Sequence, residues 1–343
     1  MATEKKQSFL GGAAVLAFGI VAVKIIGAVF KIPLRNILGE GGSADFSNAY
    51  NIYATLLTVS TAGLPVALSK LVSESYALGR TRQAHRTFRV SLSVFLVLGV
   101  ASFALMWWGS DLLAGFLNNP RAAYGIRALA PAVVCVGCLS AFRGYAQGRQ
   151  YMTPTAVSQI IEALCKLVLG LALSMWLLHI GQPDYIAAAG AIAGVTAGTI
   201  LSLVYMAIDY LRHRPALRRG ESCAPDRAIL RRLLALAIPI TLSSSMVSLI
   251  TLIDTKLVQG RLQDALGYTL DQMRAAYGNY SACMDLYNLP SSLMVALTAS
   301  VIPAVSAAVT QRDRRQSARI VRSSLRVTAL LAFPMGLGLW ALS

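Results

Sequence analysis

The sequence predicts an all-α polytopic membrane protein, and three observations predict it. Hydrophobic residues make up 56% of the 343 positions, charged residues only 13%, and the mean hydropathy is +0.59. One soluble core of this length cannot hide that much apolar surface, so lipid must cover the remainder. Apolar stretches long enough to cross about 30 Å of hydrocarbon, at about 1.5 Å per residue, recur along the whole chain. Lys and Arg, in turn, gather between alternate stretches rather than spreading evenly.

The first stretch, 8–31, follows Lys5 and Lys6. It is too long for the apolar part of a signal peptide and leads straight into further stretches, so it reads as an uncleaved first helix. The next spans are read at 46–73, 90–117, 124–147, 154–179 and 185–210, and three more at 231–258, 276–309 and 324–343. That makes about nine transmembrane helices. Pro65, Pro131, Pro239, Pro290, Pro303 and Pro334 fall inside them. Soluble helices would break there, whereas in a membrane bundle neighbouring helices re-satisfy the freed backbone groups. A β-barrel is excluded, because its strands would alternate polar and apolar residues.

The net charge of +16 raises the question of nucleic acid, and the placement of the cations answers it. With the N-terminus in the cytoplasm, twenty Lys and Arg fall on that side, the densest groups being Arg80–Arg89, Arg212–Arg232 and Arg312–Arg322. Seven fall on the other side or at its margins: Lys31, Arg35, Arg121, Arg127, Lys256, Arg261 and Arg274. The positive-inside rule therefore predicts a cytoplasmic N-terminus, in a plasma membrane, with Gly79 and Gly220 inside and Asn119 and Gln182 outside. The basic loops suit anionic membrane lipids, and no nucleic acid is needed to explain them. The five cysteines lack His or carboxylate companions at ligand spacing, so the sequence implies no metal and no other cofactor.

An internal repeat predicts the domain organisation. Gln83-Ala-His-Arg86-Thr-Phe-Arg89-Val-Ser91-Leu92 returns as Gln316-Ser-Ala-Arg319-Ile-Val-Arg322-Ser-Ser324-Leu325, and Leu64-Pro65-Val-Ala67 returns as Ile302-Pro303-Ala304. Each pair is helix, basic loop, helix, which fits two parallel six-helix units. Residues 1–211 form the N-terminal six-helix lobe, 212–230 a basic cytoplasmic linker, and 231–343 the first three helices of a C-terminal lobe. The stretch Asp226–Leu234 is expected to lie along the inner surface before the seventh span. A full second unit would continue for roughly 100 residues beyond Ser343, so the second lobe is expected to be truncated.

A family resemblance rests on particular runs. Lys24-Ile-Ile-Gly27-Ala-Val-Phe30-Lys31-Ile-Pro33-Leu34-Arg35-Asn-Ile-Leu38-Gly39 resembles the first-helix signature of the SpoVB and MurJ-like flippases of the MOP superfamily. Ser60-Thr-Ala-Gly63-Leu-Pro65-Val-Ala67, Ala141-Phe142-Arg143-Gly144-Tyr145-Ala-Gln147-Gly148 and Met152-Thr-Pro154 through Glu162 are similar to the same family, as are Pro239-Ile-Thr241, Leu252-Ile-Asp254-Thr255 and Tyr287-Asn288-Leu289-Pro290. The resemblance implies a two-lobe helical bundle that is not an enzyme. It also implies export of an undecaprenyl-pyrophosphate-linked sugar, such as lipid II or a polysaccharide precursor, by alternating access in cell-wall, spore-cortex or polysaccharide biosynthesis. The partners implied are that lipid-linked oligosaccharide and cell-wall synthesis proteins.

The intramembrane polar residues supply the candidate site. Lys24 lies deep in the first span, where a cation normally faces a bundle interior or a water-filled cavity, and Lys31 follows two turns along the same face. Two cations on one stripe suit a pyrophosphate, although Lys31 and Arg35 also fit cations that snorkel to the interface. By position in the motif Lys24 falls on the family's cavity arginine, and Asp45 falls on its acidic residue at the start of the second helix. Asp45 is expected to limit the cost of an empty, cationic cavity. Thr58 and Asp285 stand where the MurJ pattern carries cations, which favours the SpoVB branch. Tyr50 and Tyr53, three apart, offer a face for sugar stacking or for packing. Glu162 and Lys166 are four apart and can pair with each other as a structural ion pair, or Glu162 takes part in substrate binding, and Arg143 either binds a headgroup or anchors the inner end of its span.

Two other classes stay open. A MATE-like cation or drug antiporter shares the twelve-helix core, but its cavity would carry more acid than base. A non-transporting scaffold for envelope assembly has no distinguishing residue. A polytopic glycosyltransferase would need catalytic carboxylates on a long external loop, and the spans leave none.

Overall fold

The computed structural model describes residues 9–213, 223–288 and 314–342. Among these, regular structure is entirely helical. In chain order the helices are α1 (Phe9–Thr61), α2 (Leu64–Ala77), α3 (Thr81–Trp108), α4 (Ser110–Phe116), a 3₁₀ turn (Pro120–Ala122), α5 (Ala123–Gly148), α6 (Thr153–His179), α7 (Asp184–Arg212), α8 (Asp226–Asp264), α9 (270–288) and α10 (Arg314–Leu342).

α1 is two helices in one run, broken where Gly39 takes φ 68° and ψ −169°. An L side chain is strained there, so glycine lets the chain turn without losing helix on either side. The second arm ends at Thr61, and Pro65 opens α2 in the first turn, where its missing N–H costs nothing. The stretch read as one span, 46–73, is therefore two helices. Likewise the predicted 90–117 starts earlier, at Thr81, because the basic residues continue the helix with Ala84, Thr87 and Phe88 turned inward, and it stops at Gly109. The predicted spans at 124–147, 154–179 and 185–210 coincide with α5, α6 and α7. Asp226–Leu234 is not a separate surface helix. It forms the first turns of the continuous 39-residue α8, anchored by buried Ile229 and Leu233.

Among the described residues, six helices are long and apolar enough to cross a membrane: α3, α5 with its 3₁₀ turn, α6, α7, α8 and the 318–338 part of α10. Their outward faces carry Trp108, Val168, Trp176, Val247, Ile250 and Leu330, all exposed. No water-soluble surface accumulates so many, and lipid is the solvent that removes the penalty. Inside, the helices approach on small residues. A Cβ at Gly194 of α7 would stand 2.4 Å from the Gly170 nitrogen of α6, so only glycine allows the α6–α7 contact. The main core joins Phe30, Phe46, Ile52, Ile126, Leu129, Val133 and Ile192, binding both arms of α1 to α5 and α7.

α8 lies along the second arm of α1, and α9 touches α1 near Gly39 to Ser47. The two copies of the basic repeat both open long helices, α3 and α10. Ile302–Pro303, Pro290 and the rest of 289–313 lie outside the described residues, as do Lys5, Lys6 and residues 214–222 of the basic linker.

Candidate functional site

The helices α1 to α7 on one side and α8 and α9 on the other meet in a polar seam. At one end, Arg274 of α9 is 3% exposed and is ion-paired with Asp45 of α1, 2% exposed. The same guanidinium donates to Asp184 at the start of α7 (2.7 Å) and to Asp271 (3.0 Å), while Asn119 donates to Asp45 (2.8 Å). Arg121 adds a second cation on Asp271 at 2.6 Å. The hydrogen bond from Arg274, and then the charge of Arg121, hold the Asp271 carboxyl below the usual carboxylate range. Around this knot Arg35 donates to Asn279 (2.6 Å), which donates to Glu40 (3.1 Å). The backbones are close: a Cβ at Gly278 would stand 2.1 Å from the Glu40 carbonyl oxygen.

Along the middle of the seam the contacts are neutral. Asn48 and Gln259 exchange two hydrogen bonds (3.2 and 2.7 Å), Asn51 donates to Thr255 (3.2 Å), and Thr55 donates to the Ser248 carbonyl (3.2 Å). At the far end the Gly63 N–H donates to Thr241 (3.0 Å), Arg232 pairs with Glu74 (2.8 Å), and Arg86 pairs with Asp226 (2.5 Å).

Beside the seam sits a second group of charges. Lys31 of α1 is ion-paired with Asp285 of α9, both side chains about half-exposed. Lys24 is exposed and has no partner among the described residues. Arg143 of α5 donates to Glu162 (3.0 Å) and Ser158 (2.9 Å). Lys166 of α6 rests against three aromatic faces, 4.8 Å from the Tyr50 centroid, 4.9 Å from Phe30 and 5.9 Å from Phe46. Lys24, Lys31 and Glu162 all lie within electrostatic range of the Tyr50 hydroxyl, which places these charges around one region.

Several expectations are corrected here. Glu162 is neutralised by Arg143 and not by Lys166, because Arg143 reaches it from the facing helix while Lys166 turns to the rings. Asp45 does not offset Lys24 or Lys31; it is sealed against Arg274, and Asp285 is the carboxylate on Lys31. Tyr53 is 4% exposed and packed in the core, whereas the Tyr50 ring lies against Lys166. Asn119 itself is buried as a partner of Asp45, so labelling of that loop has to use its exposed neighbours. Elsewhere on α8, Asp254 accepts from Tyr280 (2.8 Å) and Lys256 lies over Phe116.

Sequence reasoning also missed Arg274, Asp184 and Asn119. Arg274 counted only as a topological charge, and nothing local marks a cation that closes on residues 90 and 229 positions away.

Residues 9–309 match the family described as polysaccharide biosynthesis protein. The chain belongs to that family. Among curated relatives it is 28% identical over 312 residues to stage V sporulation protein B of Bacillus subtilis, covering 90% of this chain and 60% of the relative. It is 26% identical over 357 residues to the lipid II flippase MurJ of the same organism, covering 98% of this chain and 65% of the relative. The chain thus spans between 60% and 65% of the length of the curated relatives it matches. Among solved structures, a MOP superfamily transporter from Pyrococcus furiosus superposes with a TM-score of 0.66 at 15% identity, covering 98% of this chain and 73% of that one. That likeness shows the fold, an all-helical MOP transporter fold. Of these, one relative is named a flippase and the solved structure a transporter.

Proposed function

We propose that this protein moves a sugar linked to undecaprenyl pyrophosphate, lipid II or a polysaccharide precursor, from the inner to the outer leaflet of the plasma membrane by alternating access. The halves that rock are residues 1–211 and 231–343, joined by the cytoplasmic linker 212–230, with the N-terminus cytoplasmic. The Asp45–Arg274 end then faces outward and the Glu74–Arg232 end inward.

The observation that carries the reading is the ion pair of Lys31 with Asp285, set among Lys24, Arg143 and Lys166. Cations exceed carboxylates there. A lysine at the centre of a spanning helix costs about 2.5–3.5 kcal/mol on insertion scales, so three of them need a reason. Asp285 approaches Lys31 from the opposite half and acts as an internal anion when no cargo is bound. A pyrophosphate displaces it, cutting one tie between the halves and leaving the headgroup on Lys24 and Lys31. Arg35 and the face of Tyr50 border the path of the sugar. The paired Arg143 and Glu162 leave no free acid for a cation antiporter to load. An anion leaving an inside-negative cell gains about 2.3 kcal/mol per charge per 100 mV, so two headgroup charges gain roughly 4–5 kcal/mol.

The test is reconstitution of the complete polypeptide in vesicles with a fluorescent lipid-linked sugar, scoring protection of the headgroup from an external reagent. Lys24→Gln is expected to abolish flipping at unchanged insertion, and Lys24→Arg to keep part of it. Full transport by Lys24→Gln overturns the reading.

A further inference from the structure

The structure assigns a further headgroup contact, Lys166 of α6, whose ammonium rests in an aromatic cage and leaves it for the anionic headgroup of the cargo. This rests on the proposed transport of a pyrophosphate-linked lipid and gives a binding role to the one lysine of that group which the reading leaves without one.

Lys166 stands midway along α6, so its charge is held at membrane depth. Phe30 from the first arm of α1 and Phe46 and Tyr50 from the second form the cage around it. Among the described residues it meets no carboxylate at ion-pair distance and no hydrogen-bond acceptor; the nearby Glu162 is held by Arg143 and Asp285 by Lys31. All three ammonium donors are therefore unused, while π faces offset part of the lost hydration.

A structural interlock would need no charge at this position. Leu or Met fills a pocket between aromatic rings without a desolvation cost, so a lysine there is explained by what it binds. Its surroundings indicate an anion. Phe30 of its cage directly precedes Lys31 on α1, which sets the cage beside the Lys31–Asp285 pair, where an incoming anion displaces Asp285. Lysine also suits the movement. Its four-carbon stem swings, its compact ammonium bonds phosphate oxygens from many directions, and the faces it vacates are free to stack on a sugar ring.

The experiment measures binding of radiolabelled farnesyl pyrophosphate, with farnesol as the neutral control, to purified wild-type protein and variants, with thermal stability read in parallel. Lys166→Met and Lys166→Gln are expected to weaken pyrophosphate binding roughly tenfold or more, and Lys166→Arg to keep most of it, as loss of a charge-assisted contact requires. In a second arm methyl acetyl phosphate, an anionic acetyl donor, acetylates Lys166 of the wild type, and farnesyl pyrophosphate blocks it. That arm does not depend on a folded variant. Unchanged binding by Lys166→Gln, or acetylation of Lys24 or Lys31 but not of Lys166, overturns the inference and leaves the proposed function intact. Failure of the wild type to prefer the pyrophosphate over farnesol removes both.

Discussion

Replacing Arg274 with Leu should spring open the end of the seam that it closes. Arg274 is 3% exposed and Asp45 is 2% exposed, so the substitution leaves a buried carboxylate whose remaining partner is Asn119 at 2.8 Å. Breaking a buried ion pair from one side costs about 3–5 kcal/mol. Asp184 and Asp271 are partly to largely exposed and can turn to water, which puts the loss near the lower end, about 3 kcal/mol. At about 1.4 kcal/mol per factor of ten, the ratio of open to closed states at this end rises on the order of 100-fold. Ser47 reports it, because its hydroxyl faces Ser281 across the seam at 3.4 Å. With the native cysteines replaced by Ser, a Ser47→Cys reporter should react with an impermeant maleimide far faster in Arg274→Leu than in the parent. Removing both charges, Asp45→Leu with Arg274→Leu, should slow that reaction again, since no uncompensated charge remains. Labelling of the single variant at the parent rate would refute the assignment of Arg274 as the closing residue.

The two glycine contacts should separate the ends of the seam. A Cβ at Gly278 meets the Glu40 carbonyl at 2.1 Å, and one at Gly63 meets the Ala237 carbonyl at 2.1 Å. Gly278→Ala should raise Ser47→Cys labelling as Arg274→Leu does, whereas Gly63→Ala should leave it unchanged and expose Glu74→Cys at the other end. Arg143→Leu strands Glu162, which is 26% exposed, so the loss in thermal unfolding should be about 2–3 kcal/mol, below the range for fully buried pairs, and Glu162→Leu added to it should recover part. Topology is checked by cysteines at Gly79 and Gln182, expected to label from the cytoplasm and from outside respectively; the reversed result would invert the proposed direction of transport.

What the sequence revealed and what it hid divide along physical lines. Hydropathy and loop charge are sums over many residues, so the helical membrane class and the positions of α5, α6 and α7 were legible without a partner in view. Helix ends were less so. Arg82, Arg86 and Arg89 looked like a loop but extend α3, because an amphipathic turn and a basic loop have the same composition. Lys24, Lys31 and Glu162 could be singled out as charges that need a reason at membrane depth. Their partners could not, because pairing is decided by helix neighbours. The i,i+4 rule proposed Lys166 for Glu162, yet a guanidinium from the facing helix won by adding a second bond to Ser158, and the ammonium was left to three rings.

The seam itself argues for separation. Within the body of α1 to α7 the core contacts are apolar side chains and glycine against backbone, which water cannot replace without loss. Between α1 and α8 they are Asn48 with Gln259, Asn51 with Thr255 and Thr55 with a carbonyl. A hydrogen bond exchanged for one to water changes free energy by only about 0.5–1.5 kcal/mol. Leucines in the same places would expose apolar area at about 25 cal/mol per Å² when the halves part. A polar seam therefore opens at low cost to a water-filled cavity and yet stays satisfied when shut. The ion pairs are confined to its ends and to the Lys31–Asp285 bridge, where breaking a contact is costly and direction can be imposed. On this reasoning a Leu pair at Asn48 and Gln259 should stabilise the closed form and slow any transport, with unfolding temperature and flipping rate moving in opposite directions.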